Sequence, residues 1–177
     1  IGDFCMADTV NLLLNLEQSS QSLCRLVADL MLKKQSFLTT AESCTGGLIA
    51  AACTDLAGSS QWFDRGFVTY SNAAKTDMLG VDAALIAQFG AVSEQVAAAM
   101  AQGAVKRSAA LVSVAVTGVA GPAGGSSEKP VGTVWIGWHV NGQTSTELYH
   151  FDGDRAMVRS LTVQRALQGL IERLQTA

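Results

Sequence analysis

Histidine is scarce in this 177-residue chain: there are two, His139 and His150, and both fall in strand-like stretches towards the C-terminus. A nucleophile that depends on a neighbouring imidazole has little to draw on here. Charge is sparse too, at 15% of residues, and 12 basic against 15 acidic side chains leave a net charge of −3. That balance supplies no general attraction to nucleic acid or to an anionic membrane surface. No apolar run reaches the roughly 20 residues that a membrane-crossing helix needs, and no basic leader precedes an apolar core. Cys5, Cys24, Cys44 and Cys53 lack paired CxxC spacing. Neither a zinc site nor a disulfide framework is indicated, so the expectation is four reduced thiols in a cytoplasmic protein, with no cofactor or metal.

What is present is apolar residue, at 49% of the chain. Composition and length predict one globular domain over residues 1–177 that buries roughly two-thirds of its unfolded surface, with residues 1–5 read as upstream sequence. Leu16, Leu23, Leu26, Val27, Leu30 and Met31 recur at helical spacing and predict an amphipathic helix over Leu12–Lys34. A strand is expected over Ser36–Thr40, then a helix after Gly47, a strand over Trp62–Tyr70 and short helices over Asn72–Met78 and Asp82–Phe89. Ser93-Glu94-Gln95 opens another helix, and Leu111–Val116 reads as a strand buried on both faces. Residues 117–132 form a long glycine-rich loop holding both prolines, more in keeping with ligand contact than with a plain connection. Val131–Val140 and Ser145–Phe151 form a hairpin about Asn141-Gly142, and a last helix runs from near Asp154 to about Gln175. Helices alternating with strands imply an α/β fold, a three-layer α/β/α sandwich around a mixed sheet.

Two segments carry chemistry. LTTAESCTGG, over 38–47, ends a strand-like run on Ser43 and places Gly46-Gly47 before a helix. Unpaired N–H groups at a helix start favour a phosphate or a developing oxyanion, and a serine held beside them can attack a carbonyl. The commoner reason for such a serine is helix capping, a role also open to Thr45. VTYSNAAK, over 68–75, brings Tyr70 and Lys75 to the start of another helix. A lysine base near neutral pH needs its pKa lowered by about 3 units from its reference near 10.4, through burial or neighbouring positive charge. Most lysines are instead solvated. Cys44 is the rival nucleophile, but it lacks a histidine close in sequence.

AESCTGG, AGSSQWFDRGFVTYSNAAK, GAVSEQV, TGVAGPAGG, KPVGTVW and GDRAMVR occur in this order over about 26–174. This series resembles the CinA C-terminal domain family, whose enzymatically active members are nicotinamide-nucleotide amidases. The resemblance implies hydrolysis of the nicotinamide mononucleotide carboxamide to nicotinic acid mononucleotide and ammonia, in pyridine-nucleotide salvage. It implies Ser43 as nucleophile, with Tyr70 and Lys75 completing the catalytic group. Tyr70 would relay a proton or orient the lysine. The N–H groups of Cys44, Thr45 and Gly46 are expected around the oxyanion.

Thr117 either caps a turn or faces the site, a choice the resemblance tips towards the site, and Gly118 allows close approach of backbone to ligand. Arg155 and Arg159 share a helix face and are either surface ion-pair partners or forks for the phosphate. Glu42 and Asp64 are candidates to support the site. Trp62, Trp135 and Trp138 read as core or interface residues. Family members also occur fused behind a larger N-terminal domain, and this chain reads as the stand-alone form. Ala-rich helices are compatible with a homo-oligomer. The alternative to an amidase is a module that binds a pyridine nucleotide without turning it over, or a competence- or damage-related interaction unit.

Overall fold

The structure, a computed structural model, describes residues 6–176; Cys5 and its neighbours in 1–5 lie outside the described residues. In chain order the elements are α1 (Met6–Lys34), β1 (Leu38–Glu42), α2 (Leu48–Thr54), a 3₁₀ turn (Ser59–Gln61), β2 (Phe63–Val68), α3 (Asn72–Leu79) and α4 (Ala83–Phe89). They continue with α5 (Glu94–Lys106), β3 (Val112–Gly118), β4 (Thr133–Val140), β5 (Gln143–His150) and α6 (Arg155–Gln175). The strands form one sheet in the order β2-β1-β3-β4-β5. β1 runs parallel to both β2 and β3, while β3-β4 and β4-β5 are antiparallel, so the sheet is mixed as expected.

The sheet separates two cores. On one face Cys24, Val27 and Met31 of α1, Ile49 and Cys53 of α2, and Leu167 and Leu170 of α6 pack on Val114, Ile136 and Trp138. On the other face Leu79, Ile86, Val96, Met100 and Ala104, from α3 to α5, pack on Ala41 and Ala115. The strand residues divide by parity: even positions of β3 and β4 carry the bulky apolar side chains, while Ala115 and Gly137 let α5 close on the opposite face. A Cβ at Gly137 would lie 2.7 Å from the Ala97 carbonyl oxygen. These two helical layers about one sheet are the α/β/α sandwich.

Element starts follow local chemistry. Ser71, Ser93 and Asp154 accept hydrogen bonds from Ala74, Val96 and Met157 N–H, and Asp82 from Ala84 N–H. Each cap satisfies a helix donor that has no intrahelical partner. The hairpin turns at Asn141 and Gly142, both at positive φ, as an Asn-Gly pair favours. Most strand ends move by one or two residues from expectation, and two shifts have a clear cause. α1 starts at Met6 rather than Leu12, there being no glycine or proline between them to break it. β1 runs to Glu42 rather than Thr40, because all five of its residues are buried between parallel neighbours, the glutamate included. Cys24, Cys44 and Cys53 are free, buried thiols. Trp62 and Trp138 are buried in the core and Trp135 is half-buried.

Chain order and sheet order together locate a crevice. From β1 the chain crosses by α2 to β2 on one side, and then by α3, α4 and α5 to β3 on the other. The chain thus leaves β1 for α2 on one face and β2 for α3–α5 on the other, and the C-terminal ends of parallel β1 and β3 lie side by side where open α/β sheets hold ligands.

The tightest helix–sheet contact gives a stability test. Trp138 donates its Nε1–H to the Ala166 carbonyl at 2.9 Å and lies under the Arg173 guanidinium, 3.8 Å from the ring centroid. A Cβ at Gly169 would sit 2.3 Å from Cζ2 of this pinned ring. Gly169→Ala is expected to destabilise the protein by about 1–3 kcal/mol through overpacking, outweighing a gain in helix propensity of about 1 kcal/mol. Urea denaturation reads this as a lower midpoint with an unchanged slope.

Candidate active site

Ser43 is the first residue past β1. Its N–H donates to the Val116 carbonyl of β3 at 3.1 Å, and its own carbonyl accepts from Gly46 N–H at 3.1 Å. Both contacts fix the backbone in the gap between the two strands. α2 does not begin at Ser43: its N-cap position is Gly47, at φ +101°, with no side-chain cap. Neither Ser43 nor Thr45 is the cap. Glu42 fills that role from inside, its carboxylate accepting from Gly47, Ile49 and Ala50 N–H at 3.0, 3.0 and 2.8 Å, and from the Thr45 hydroxyl at 2.6 Å. The N–H groups that open α2 are therefore already taken. Any oxyanion must use donors earlier in the turn.

Lys75 lies on α3 and is 1% exposed. Its Nζ is 3.1 Å from Ser43 Oγ, 2.9 Å from the Thr69 carbonyl and 3.5 Å from the Tyr70 carbonyl. Among the described residues no carboxylate pairs with it. Burial pulls its pKa down, the Cys44 thiol acting in the other direction. A neutral amine has two N–H donors and one lone pair. In that form two donors meet the carbonyls and the lone pair is left for the Ser43 hydroxyl, which is the arrangement a base requires.

Cys44 is buried beside this pair, and burial pushes its thiol up to about 11, with the Glu42 charge adding to the effect. Near neutral pH it is a thiol, not a thiolate, which makes it a poor rival to Ser43. His139 and His150 lie on β4 and β5 and do not line this cavity.

The cavity, about 290 Å³, is lined by Ser43, Cys44, Tyr70, Asn72, Lys75, Thr117, Gly118 and Arg155, together with Ala91, Val92 and the start of the glycine-rich loop. Thr117 is buried and donates to the Ala91 carbonyl at 2.7 Å, tying β3 to the segment before α5. Gly118 is confined by the neighbouring strand, where a Cβ would meet the Thr133 oxygen at 2.8 Å. Tyr70 is 59% exposed, and its hydroxyl accepts from Arg155 Nη2 at 2.9 Å. Lys75 and Ser43 meet directly, with no phenol between them.

Arg155 also donates to the Gly121 carbonyl at 2.9 Å, so it spans the rim from Tyr70 to the glycine-rich loop. Beyond it a second cavity of about 720 Å³ is lined by Gly121, Pro122, Gly153, Asp154, Arg155 and Arg159. Arg159 donates through Nη2 to the Thr45 carbonyl at 2.9 Å, and its buried Nε has no hydrogen-bond partner among the described residues.

Several residues fall elsewhere than sequence reasoning placed them. Thr45 and Gly46 stand behind the cavity rather than on it, Thr45 holding Glu42 and Gly46 backing onto Arg159. Asp64 sits at the opposite end of β2, paired with Arg65 at 2.8 Å and accepting from Ala109 N–H at 3.1 Å, so it does not support the site. Asn72 was missed. It follows the Ser71 cap and lines the cavity in the first turn of α3, in the same motif as Tyr70 and Lys75. No cluster of three His, Cys, Asp or Glu side chains able to hold a metal is found among the described residues, and no described helix is long and apolar enough to cross a membrane.

The burial of Lys75 fixes a pH signature of stability. A lysine whose folded pKa lies below its unfolded value of about 10.4 binds fewer protons folded than unfolded between the two values, so its burial destabilises the protein below about pH 10. The penalty fades as pH rises from the depressed folded pKa to the unfolded one. Unfolding free energies of the wild type and Lys75→Met, measured side by side by urea denaturation, are expected to shift in favour of the wild type as pH rises through that window. A constant difference across pH would contradict a depressed pKa.

Comparison with known proteins identifies the family. The CinA C-terminal domain model matches residues 20–174. A nicotinamide-nucleotide amidohydrolase PncC of Enterobacter agglomerans is 56% identical over 80% of this chain and 82% of its own length. The protein of that name from Escherichia coli K12 is 54% identical over 75% of this chain and 81% of its own. A CinA-like protein of Akkermansia muciniphila is 54% identical over 75% of this chain, which is 32% of that longer protein. The crystal structure of the competence/damage inducible protein CihA from Agrobacterium tumefaciens superposes with a TM-score of 0.84 at 49% identity, covering 89% of this chain and 96% of that one. With the family model spanning nearly the whole chain and relatives above half identity, this protein belongs to the CinA C-terminal domain family.

Proposed function

We propose that the chain is a nicotinamide-nucleotide amidase, converting nicotinamide mononucleotide and water to nicotinic acid mononucleotide and ammonia. The observation that carries the reading is the contact between Ser43 Oγ and the buried Lys75 amine, at 3.1 Å on the wall of a cavity. The names of its close relatives support the substrate.

Neutral Lys75 accepts the Ser43 proton as Oγ attacks the carboxamide carbon. The pyridinium ring withdraws electrons from that carbon, and an uncharged lysine does not repel the cationic ring. The N–H of Cys44, on the cavity wall in the turn before α2, is the donor for the oxyanion. Lys75, now protonated, gives its proton to the leaving nitrogen and ammonia departs. Water then enters, Lys75 takes its proton, and the acyl-enzyme is hydrolysed to the carboxylate with Ser43 restored.

The reaction cavity suits a pyridine ring, and the larger cavity past Arg155 suits the ribose phosphate. Arg155 and Arg159 supply guanidinium donors there, including the unpartnered Arg159 Nε. We assign Tyr70 to the rim, where it positions Arg155, rather than to a proton relay. We assign the protein to the cytoplasm on this chemistry, and its net charge of −3 supplies no general attraction to nucleic acid.

The test is ammonia release from nicotinamide mononucleotide by the wild type, Ser43→Ala, Lys75→Ala and Cys44→Ala. Ser43→Ala and Lys75→Ala are each expected to lower kcat by about 10³-fold or more with folding intact, and Cys44→Ala to change it only a few-fold. Activity surviving Ser43→Ala would overturn the nucleophile. A wild type that binds the nucleotide and releases nothing would establish a binding module instead.

A further inference from the structure

Glu42 is 1% exposed and carries no cationic partner among the described residues, an expensive place for a carboxylate unless hydrogen bonds replace its water. It receives four. Oε2 takes the Thr45 hydroxyl and the Gly47 and Ile49 N–H groups, while Oε1 takes the Ala50 N–H. α2 has only seven residues and no capping side chain of its own, too short to hold its position by helical propensity alone. The carboxylate clamps its first turn to the end of β1, and the Ser43–Gly47 segment is the loop so closed.

The main chain of the same residue holds the other partner. The Glu42 carbonyl accepts from Thr69 N–H at 2.8 Å, and the Thr69 carbonyl in turn accepts from Lys75 Nζ at 2.9 Å. Side chain and backbone of one residue thus anchor the loop that carries Ser43 and the strand end that holds Lys75.

We propose that Glu42 is a positioning residue of the reaction: its buried carboxylate sets the placement of Ser43 Oγ against Lys75 through the 43–50 turn. This rests on the Ser43–Lys75 reading above. Glu42→Gln keeps the size but offers one oxygen. With that oxygen at the Oε2 position, the amide N–H₂ faces the Ala50 N–H, donor against donor, and the turn must shift. Displacement of a nucleophile by the order of 1 Å costs about 10²-fold in rate.

Two readings are taken on each variant: kcat and KM for ammonia release from nicotinamide mononucleotide, and the rate of covalent capture of Ser43 by phenylmethanesulfonyl fluoride, located by peptide mass. Glu42→Gln is expected to lower kcat by about 10²-fold with KM within about threefold, and to slow capture in parallel. Thr45→Val removes one of the four donors and is expected to lower both rates by about tenfold. Thr45→Ser, which keeps the hydroxyl, restores them. Should Glu42→Gln fail to fold, the Thr45 pair still decides.

Variants that lose only thermal stability, with kcat and capture rate per folded molecule unchanged, would overturn the proposal and leave Glu42 a helix anchor. A wild type that is captured at Ser43 but releases no ammonia sinks the substrate alone, and the capture rates then judge Glu42. A wild type inert to both probes overturns the positioning role together with the dyad.

Discussion

The structure turns on a lysine buried with no carboxylate paired to it among the described residues. A charged ammonium in the interior would need a carboxylate partner, and Lys75 has instead two carbonyl oxygens and one hydroxyl. Those three oxygens can accept from either form of the amine, and burial without a counter-charge favours the neutral one, whose lone pair is then left for the hydroxyl. The one nearby carboxylate, Glu42, is turned away and fully occupied by the first turn of α2. Moving that charge towards Lys75 would favour the ammonium and remove the base.

The mixed sheet makes this arrangement possible. Parallel β1 and β3 end side by side, so the turn after β1 and the glycine-rich loop after β3 start at the same edge of the sheet. Ser43 enters the cavity from β1, Thr117 and Gly118 from β3, and Lys75 from the helix that follows β2. α6 then brings Arg155 across the rim, so side chains 85 positions apart meet at Tyr70. The half-occupied Arg159 and the wide second cavity lie on the same side as this strut.

Much of this was legible in the sequence because the signals are local. Alternating helix and strand periods, Ser and Asp caps and the Asn-Gly turn set the element order and the sandwich. A serine at a strand end and a lysine in the following motif marked the two side chains that meet at 3.1 Å. What stayed hidden depends on contacts between distant segments. The strand expected over Ser36–Thr40 runs on through Glu42, whose buried carboxylate is met by the donors of the 45–50 turn folding back over it. For the same reason Ser43 and Thr45 resembled helix caps, although α2 starts later, behind two glycines at positive φ. Thr45 and Gly46 were expected at the ligand and stand one layer behind it. The separation of Tyr70 from the Ser43–Lys75 contact was equally invisible, since both ends of the Tyr70–Arg155 bond are fixed by tertiary packing.

The central claim is the protonation state of Lys75, and its titration tests that claim most directly. The protein labelled with ¹³C at lysine Cε would be followed by NMR from neutral to alkaline pH, with Lys75→Met identifying the resonance. The account predicts that Lys75 titrates clearly below the other lysines, whose values lie near 10.4. A Lys75 signal that titrates together with the surface lysines would contradict it, and with it the assignment of Lys75 as the base that activates Ser43.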